Sequence, residues 1–375
     1  MDLDFNEEQE ALRDMIRGVC AEYAPIETVR AMEDDPKGYP DAFWKQLGEL
    51  GLLGLLIPEQ HGGAEQGMLE AAIVYEEFGR ALSPSPHFVS SILSARLLLD
   101  SGSEAQQAEW LPKIASGEAI LTPAWLEPDR GFGPAGVAVR AERDGQGFVL
   151  SGRKRHVLFA SAADRLWVLA RSGDGEGDVD AFLVDPKAAG VTLTQQRSLA
   201  SDTQYDVTLA GVRVGEADRI ACGWAGFDRV MEEGVILLAA WAMGGAERAV
   251  ELTVEYAKER VQFDKPLGAF QAISHYLADA TTNVDGGKAL VYEAAWARSE
   301  GRDITRLAAM AKLFACQTFR DVTAMCQQVW GGVGFTIEYD IQLYFRRAKQ
   351  LQITWWDSRF LEERVAADVL DRVAG

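Results

Sequence analysis

ERVQFDKPLGAFQAISHYLAD, residues 259–279, decides the architecture. A helical period runs into this stretch, is broken at Pro266, bends at Gly268 and resumes from about residue 269. Proline lacks the N–H that a helix interior needs, and glycine admits backbone angles that other residues avoid. Two long helices therefore meet at a sharp turn. The first spans about 225–262 and contains AAWAMGGAERA (239–249). So many small residues in mid-helix predict close approach to another helix. Further helical periods fit about 269–300, 303–330 and 357–373. Four long helices with short connections predict an antiparallel four-helix bundle over 223–375.

Upstream the pattern changes. GVAVRAE, GFVLSG, RLWVLAR, VDAFLVD and YDVTLAGVRV are short, rich in β-branched residues and bounded by Gly, Asp and Pro. Val207, Leu209, Val212 and Val214 alternate around a glycine read as a turn, which predicts an antiparallel β-barrel or sandwich over 121–222. Residues 1–120 return to the helical period. Asn6 and Gln9 have capping-box spacing, and Leu12, Ile16 and Cys20 follow on one face. A second helix begins after Pro40 with Phe43, Leu47 and Leu50 on one stripe. Two more fit 66–80 and 86–100, and a fifth contains Trp110 and Leu111. Residues 51–63, GLLGLLIPEQHGG, are too broken by Gly and Pro to be helical. The fold class is mainly α with a central β-domain, in three domains: 1–120, 121–222 and 223–375.

Lys plus Arg number 37 and Asp plus Glu 57, a net charge of −20. That balance argues against nucleic acid or an anionic membrane as a partner, while leaving room for a phosphate-bearing ligand at a local basic cluster. The four cysteines and four histidines are scattered and form no C-x-x-C pair, so a metal site is not expected. MDLDFNEEQE is acidic, unlike a signal or transit peptide, and no apolar run nears the ~20 residues that span a bilayer. A cytoplasmic protein is expected.

WKQLGELGLLGLLIPEQHGG (44–63), VYEEFGRALSPSP (74–86), WLPKIASGEA (110–119), the opening stretch, AKLFACQ (311–317) and QVWGGVGFTIEYDIQLYFRRAKQLQI (328–353) together resemble the acyl-CoA dehydrogenase family, from near residue 5 to near 370. The resemblance implies an oxidoreductase with FAD as cofactor. A carboxylate removes the α-proton of an acyl-CoA thioester, the β-hydrogen leaves as hydride to the flavin, and an electron-transferring flavoprotein takes the electrons. Residue by residue, Arg260, Gln262 and Phe263 match the family's cofactor-binding turn, with Arg260 as a partner for the pyrophosphate. Leu267 and Gln271 match positions flanking the cofactor. Gln328, Gly331 and Gly332 match a glycine-rich element that reaches the FAD held by a neighbouring subunit. This implies at least a dimer, and a homo- or hetero-tetramer is expected. Trp125, Leu126 and Leu158 fall on the flavin-facing motifs of the β-domain.

The departures matter as much. The family's Thr-Glu-Pro motif is here Leu126-Glu127-Pro128, and the Ser that follows it is Phe132. Its Trp-Ile-Thr motif is His156-Val157-Leu158, and the Gly after Phe263 is Asp264. The usual catalytic Glu, in a Tyr-Glu-Gly-Thr motif, falls on Trp355, which cannot accept a proton. A minority of the family places the base on the first bundle helix, at the position of Gly234 here. Glu232 and Glu233 are adjacent to it and Asp357 is the other nearby carboxylate, although Asp357 has helix N-cap spacing. Three readings follow: an active dehydrogenase with a displaced base, one subunit of a mixed tetramer that completes its partner's FAD site, or a scaffold without flavin.

Overall fold

The computed structural model describes residues 5–145 and 147–371. Helices α1 (Glu7–Tyr23), α2 (Ile26–Ala31), α3 (Asp41–Glu49), α4 (Met68–Ala81), α5 (Ala95–Ser101) and α6 (Glu104–Ser116) come first. Strands β1 (Leu121–Ala124), β2 (Arg140–Asp144), β3 (Gly147–Leu158), β4 (Arg165–Arg171), β5 (Val179–Val184), β6 (Val191–Gln196), β7 (Gln204–Gly215) and β8 (Arg219–Ile220) follow. Then come α7 (Gly223–Glu259), the short strands β9 (Val261–Gln262) and β10 (Lys265–Pro266), α8 (Gln271–Ser299), α9 (Thr305–Trp330), α10 (Ile341–Ile353) and α11 (Ser358–Leu370). The end of the helix expected over 357–373 lies outside the described residues, as do the first four residues of the acidic N-terminus. Contact density groups the chain otherwise than in sequence order. One unit comprises 1–29, 68–83 and 235–375, and the other 30–67 and 84–234, with the cut falling inside α7.

The unit of 30–67 and 84–234 is built on one sheet of order β6-β7-β3-β2-β4-β5-β8, with β1 added alongside β4. Most pairs are antiparallel as expected, but β1 runs parallel to β4. The glycine read as a turn is not one. β7 continues through Gly211, and Ala210 and Gly211 together oppose Ser151, because Leu150 pairs with Val212 and Gly152 with Leu209. This is a bulge, and Gly211 takes φ +67°, where glycine has no Cβ penalty. The alternation survives across it, with Val207, Leu209 and Val212 all buried.

In the same unit, residues 88–94 form a π-helix that leads into α5. His87, just before it, is 1% exposed, and its Nε2–H donates to the Leu52 carbonyl at 3.0 Å. Burial pushes the imidazole down from 6.5 to about 4, only partly opposed by that hydrogen bond. Between those two pH values the unfolded chain binds a proton that the native chain refuses. Stability therefore falls as pH drops from about 6.5 to 4, by about 3 kcal/mol for the full shift. In urea titrations the midpoint should drop between pH 7 and 4.5, and His87→Gln should flatten that drop. An unchanged slope in the variant would remove His87 from the acid response.

The other unit is helical. Asn6 and Gln9 form the expected reciprocal capping box on α1, with Ile16 and Cys20 buried behind it. The glycine-rich middle of α7 meets α4 backbone to backbone. A Cβ on Gly244 would lie 1.8 Å from the Glu76 carbonyl oxygen, and one on Gly79 would lie 1.8 Å from that of Trp241. Around this crossing, Lys288 of α8 bridges Glu76 at 2.8 Å and Glu247 at 2.6 Å, and Arg17 pairs with Glu77 at 2.7 Å. α10 is a fifth helix beyond the four expected after residue 223. Its buried Ile341, Tyr344, Ala348 and Leu351 have the 3-4-3 spacing of a helix face, a signal the sequence does contain.

Candidate cofactor and substrate site

The turn after α7 is tighter than Pro266 suggested. α7 ends at Glu259, seven positions earlier, and β9 pairs with β10 around Phe263 and Asp264. Both loop residues have positive φ, +53° and +63°, as a two-residue primed turn requires. Asp264 thus occupies a left-handed position where the family has glycine, and aspartate tolerates that region better than most residues. The Leu267 amide closes the turn on the Arg260 carbonyl at 2.9 Å. Leu267 then packs on a buried cluster of Ala257, Leu277 and Val329, which ties the ends of α7 and α9 and the start of α8 together.

That anchoring brings the turn beside the glycine-rich element within one chain. Arg260, Gln262, Leu267, Gly331 and Gly332 line a groove of about 500 Å³. Gly331 ends α9 at φ +67°, and a Cβ on either glycine would meet open space. The groove wall also contains Tyr256 and Trp330, which the sequence reading missed. Their rings stack at 4.2 Å and 11°, and Trp330 Nε1 donates to Thr253 Oγ1 at 3.1 Å. Tyr256 lies one helical turn before Arg260, so its side of α7 was readable, but its stacking partner was not. Phe263, Gln271 and Gln328 are exposed and lie outside the lining of this groove.

In the sheet unit, Leu126 is half-buried and accepts the Arg155 amide on its carbonyl at 2.9 Å. Trp125 is buried between Phe227 and Phe132, with ring centroids at 5.3 and 5.9 Å. Phe132, at the family's Ser position, thus extends an aromatic stack. His156 sits at φ +54° and its Nδ1–H reaches Gln204 Oε1 at 2.8 Å, while the Leu158 carbonyl accepts from Thr122 Oγ1. Beneath them Lys154, 0% exposed, donates to Glu127 Oε1 at 2.7 Å and to the Trp125 carbonyl at 3.3 Å. The Glu127 carboxylate also accepts the amides of Ala138 and Val139 at 3.0 Å. One buried ion pair therefore sets the course of 125–139. Burial pushes the Lys154 ammonium down to about 8, with Glu127 pulling it back up.

The candidate bases are all engaged or closed. Trp355 is buried, at φ +53°. Asp357 accepts the Phe360 amide at 2.9 Å and caps α11, as its spacing suggested. Glu232 and Glu233 are both buried, and Arg96 reaches Glu233 at 3.3 Å while also gripping Asp100. A Cβ on Gly234 would meet Leu93 at 2.6 Å and Phe88 at 3.3 Å, so the helix position for a base is filled by neighbours.

Residues 6–118 match the model of the acyl-CoA dehydrogenase N-terminal domain, 123–211 that of its middle domain and 222–366 that of its C-terminal domain. The chain is 32% identical over 366 residues to the probable acyl-CoA dehydrogenase YngJ of Bacillus subtilis (strain 168), covering 94% of this chain and 95% of that one. This chain belongs to the acyl-CoA dehydrogenase family. It is an oxidoreductase of that type, and the family's cofactor is FAD. Among solved structures this acyl-CoA dehydrogenase is similar to the ChsE4–ChsE5 complex from Mycobacterium tuberculosis, at 28% identity and a TM-score of 0.90 over 98% of this chain and 99% of that one. It is also similar to a variant of the Tcur3481–Tcur3483 steroid ACAD, at 30% identity and a TM-score of 0.89 over the same shares.

The residues present fit part of FAD well. Arg260 is exposed at the groove with no ion-pair partner among the described residues, and two side-chain-free glycines face open space beside it. A free guanidinium and a close backbone approach both suit a diphosphate. In the sheet unit, Leu126 and Phe132 stand where the resemblance puts hydroxyl side chains, and the Phe132 ring packs at a tilt on Trp125.

Proposed function

We propose that this chain is one subunit of a heteromeric, FAD-dependent acyl-CoA dehydrogenase, and that the proton-abstracting carboxylate belongs to a different partner chain. The observation that supports it best is the state of the base positions: Trp355 buried, Gly234 closed over by Leu93 and Phe88, Glu233 paired with Arg96 and Asp357 spent on a helix cap. Two similar structures, ChsE4–ChsE5 and Tcur3481–Tcur3483, are each named for a pair of components, which favours the heteromeric reading, and the latter is a steroid enzyme. A bulky acyl-CoA is the proposed substrate class, and a cytoplasmic tetramer passing electrons to an electron-transferring flavoprotein is the proposed setting.

Bound FAD supplies the hydride acceptor for the β-hydrogen of the thioester. This chain's part is to bind and orient. Arg260 holds a diphosphate, Gly331 and Gly332 let the backbone close on it, and the Tyr256–Trp330 stack forms an apolar wall. Trp125 and Leu126, held by Glu127 and Lys154, present backbone groups toward the flavin. No side chain here removes the α-proton, so deprotonation waits on the partner.

The chain alone should show no turnover of acyl-CoAs with an artificial electron acceptor. Co-expression with a sister chain should restore turnover at one FAD per two chains. A general base is worth about 10²–10⁴ in rate. Turnover by the chain alone that falls by at least that lower factor in Glu233→Gln or Asp357→Asn would return the base to this chain and end the proposal.

A further inference from the structure

Lys312 is buried in α9 at 0% exposure and has no carboxylate within ion-pair distance among the described residues. Its three ammonium protons are instead matched to three backbone carbonyls, Leu351 at 3.0 Å, Thr354 at 3.1 Å and Trp356 at 3.3 Å. These carbonyls belong to the last turn of α10 and to the segment that joins it to α11. That segment is backbone-strained, with Trp355 at φ +53° and Trp356 at φ +72°, a region that bulky residues rarely enter. Other groups hold its far side. Asp357 caps α11, Arg364 lies 4.3 Å above the Trp356 ring, and that ring packs against Phe360. The side facing α9 has Lys312.

We propose that Lys312 is the positioning residue of the turn 354–356: its ammonium gathers three carbonyls that a left-handed tryptophan pair leaves pointing inward, and so fixes Trp355 at the place where the family has its base. A cation suits this role on two counts. It supplies three donors to carbonyls at and beyond the helix end, of which Leu351 also takes the Cys316 thiol at 3.9 Å, and it stands at the C-terminal end of α10, where the helix dipole favours positive charge. The sequence concealed it, because a lone lysine in AKLFACQ reads as a surface residue. The functional meaning of the turn rests on the reading above. Its conformation does not, and hydrogen exchange in the flavin-free chain tests it separately.

Lys312→Gln keeps two donors without charge, and Lys312→Met keeps the length without donors. Amide exchange across 352–358 should rise about tenfold in the glutamine variant and further in the methionine variant. Exchange across 313–328 of α9 and across the sheet should stay unchanged. Trp356→Gly, which relieves the Cβ penalty at φ +72°, should shrink the effect of Lys312→Gln. Unchanged exchange in 352–358, or an equal rise throughout the chain, overturns the proposal. Failure of both lysine variants to accumulate, unrelieved by Trp356→Gly, would do the same by assigning Lys312 a general structural role.

Discussion

Gly244→Ala should lose about 3 kcal/mol or more of stability, a change of one methyl group. The added Cβ would sit 1.8 Å from the Glu76 carbonyl oxygen and 2.7 Å from its carbon. Only backbone is there to yield. α4 and α7 would have to part by more than an ångström at a crossing where Gly79 already touches the Trp241 carbonyl in the same way. Parting them also pulls Glu76 from Lys288 and Arg80 from Glu247, which bracket the crossing. Gly286→Ala is the control. It lies exposed on α8 with nothing within 4 Å of the new Cβ, so alanine should gain up to about 1 kcal/mol of helix propensity. Urea midpoints of the two variants should therefore move in opposite directions. A Gly244→Ala midpoint level with that of Gly286→Ala would mean that the helices are not in backbone contact.

The close approach of α7 was legible because AAWAMGGAERA states it in composition, and the capping box at Asn6 and Gln9 because both partners sit within four residues. Local geometry was less legible where a turn residue did something unusual. Pro266 reads as a helix stop, yet the helix had ended at Glu259 and the chain turns at Phe263 and Asp264, both left-handed, an angle that Phe263's type rarely signals. Leu50 reads as one more core position, yet α3 ends at Glu49 and Leu50 is 37% exposed. The candidate groove divides along the same line. Arg260, Gln262, Leu267 and the two glycines were each singled out by motif, but their meeting in one groove of a single chain was not read from it, and Tyr256 against Trp330 is a contact across 74 residues with no local trace. Buried lysines are the least readable feature. Lys154 in β3 and Lys312 in α9 are both fully buried, and only tertiary structure supplies the partners that make this possible.

Lys154→Met should cost about 3–5 kcal/mol at pH 7, because it strands a charge in the sheet unit. Lys154 Nζ stands 2.7 Å from the Glu127 carboxylate, and that ion pair favours its charged form against the burial that pushes its pKa down. Without it, Glu127 keeps a carboxylate at 6% side-chain exposure with, among the described residues, only the Ala138 and Val139 amides as donors. The Trp125 carbonyl loses its ammonium donor at the same time. The double variant Glu127→Gln/Lys154→Met should regain most of the loss. It removes the uncompensated charge, and the glutamine oxygen can still accept the two amides. The pair should therefore show strong non-additivity in a double-mutant cycle read from urea midpoints. The segment 125–139 carries Trp125 and Leu126, so the single variant should also bind flavin less tightly in the assembled enzyme, and the double variant should recover part of that affinity. Additive losses in the two substitutions would show that the ion pair does not act as a unit, and the course of 125–139 would then need another anchor.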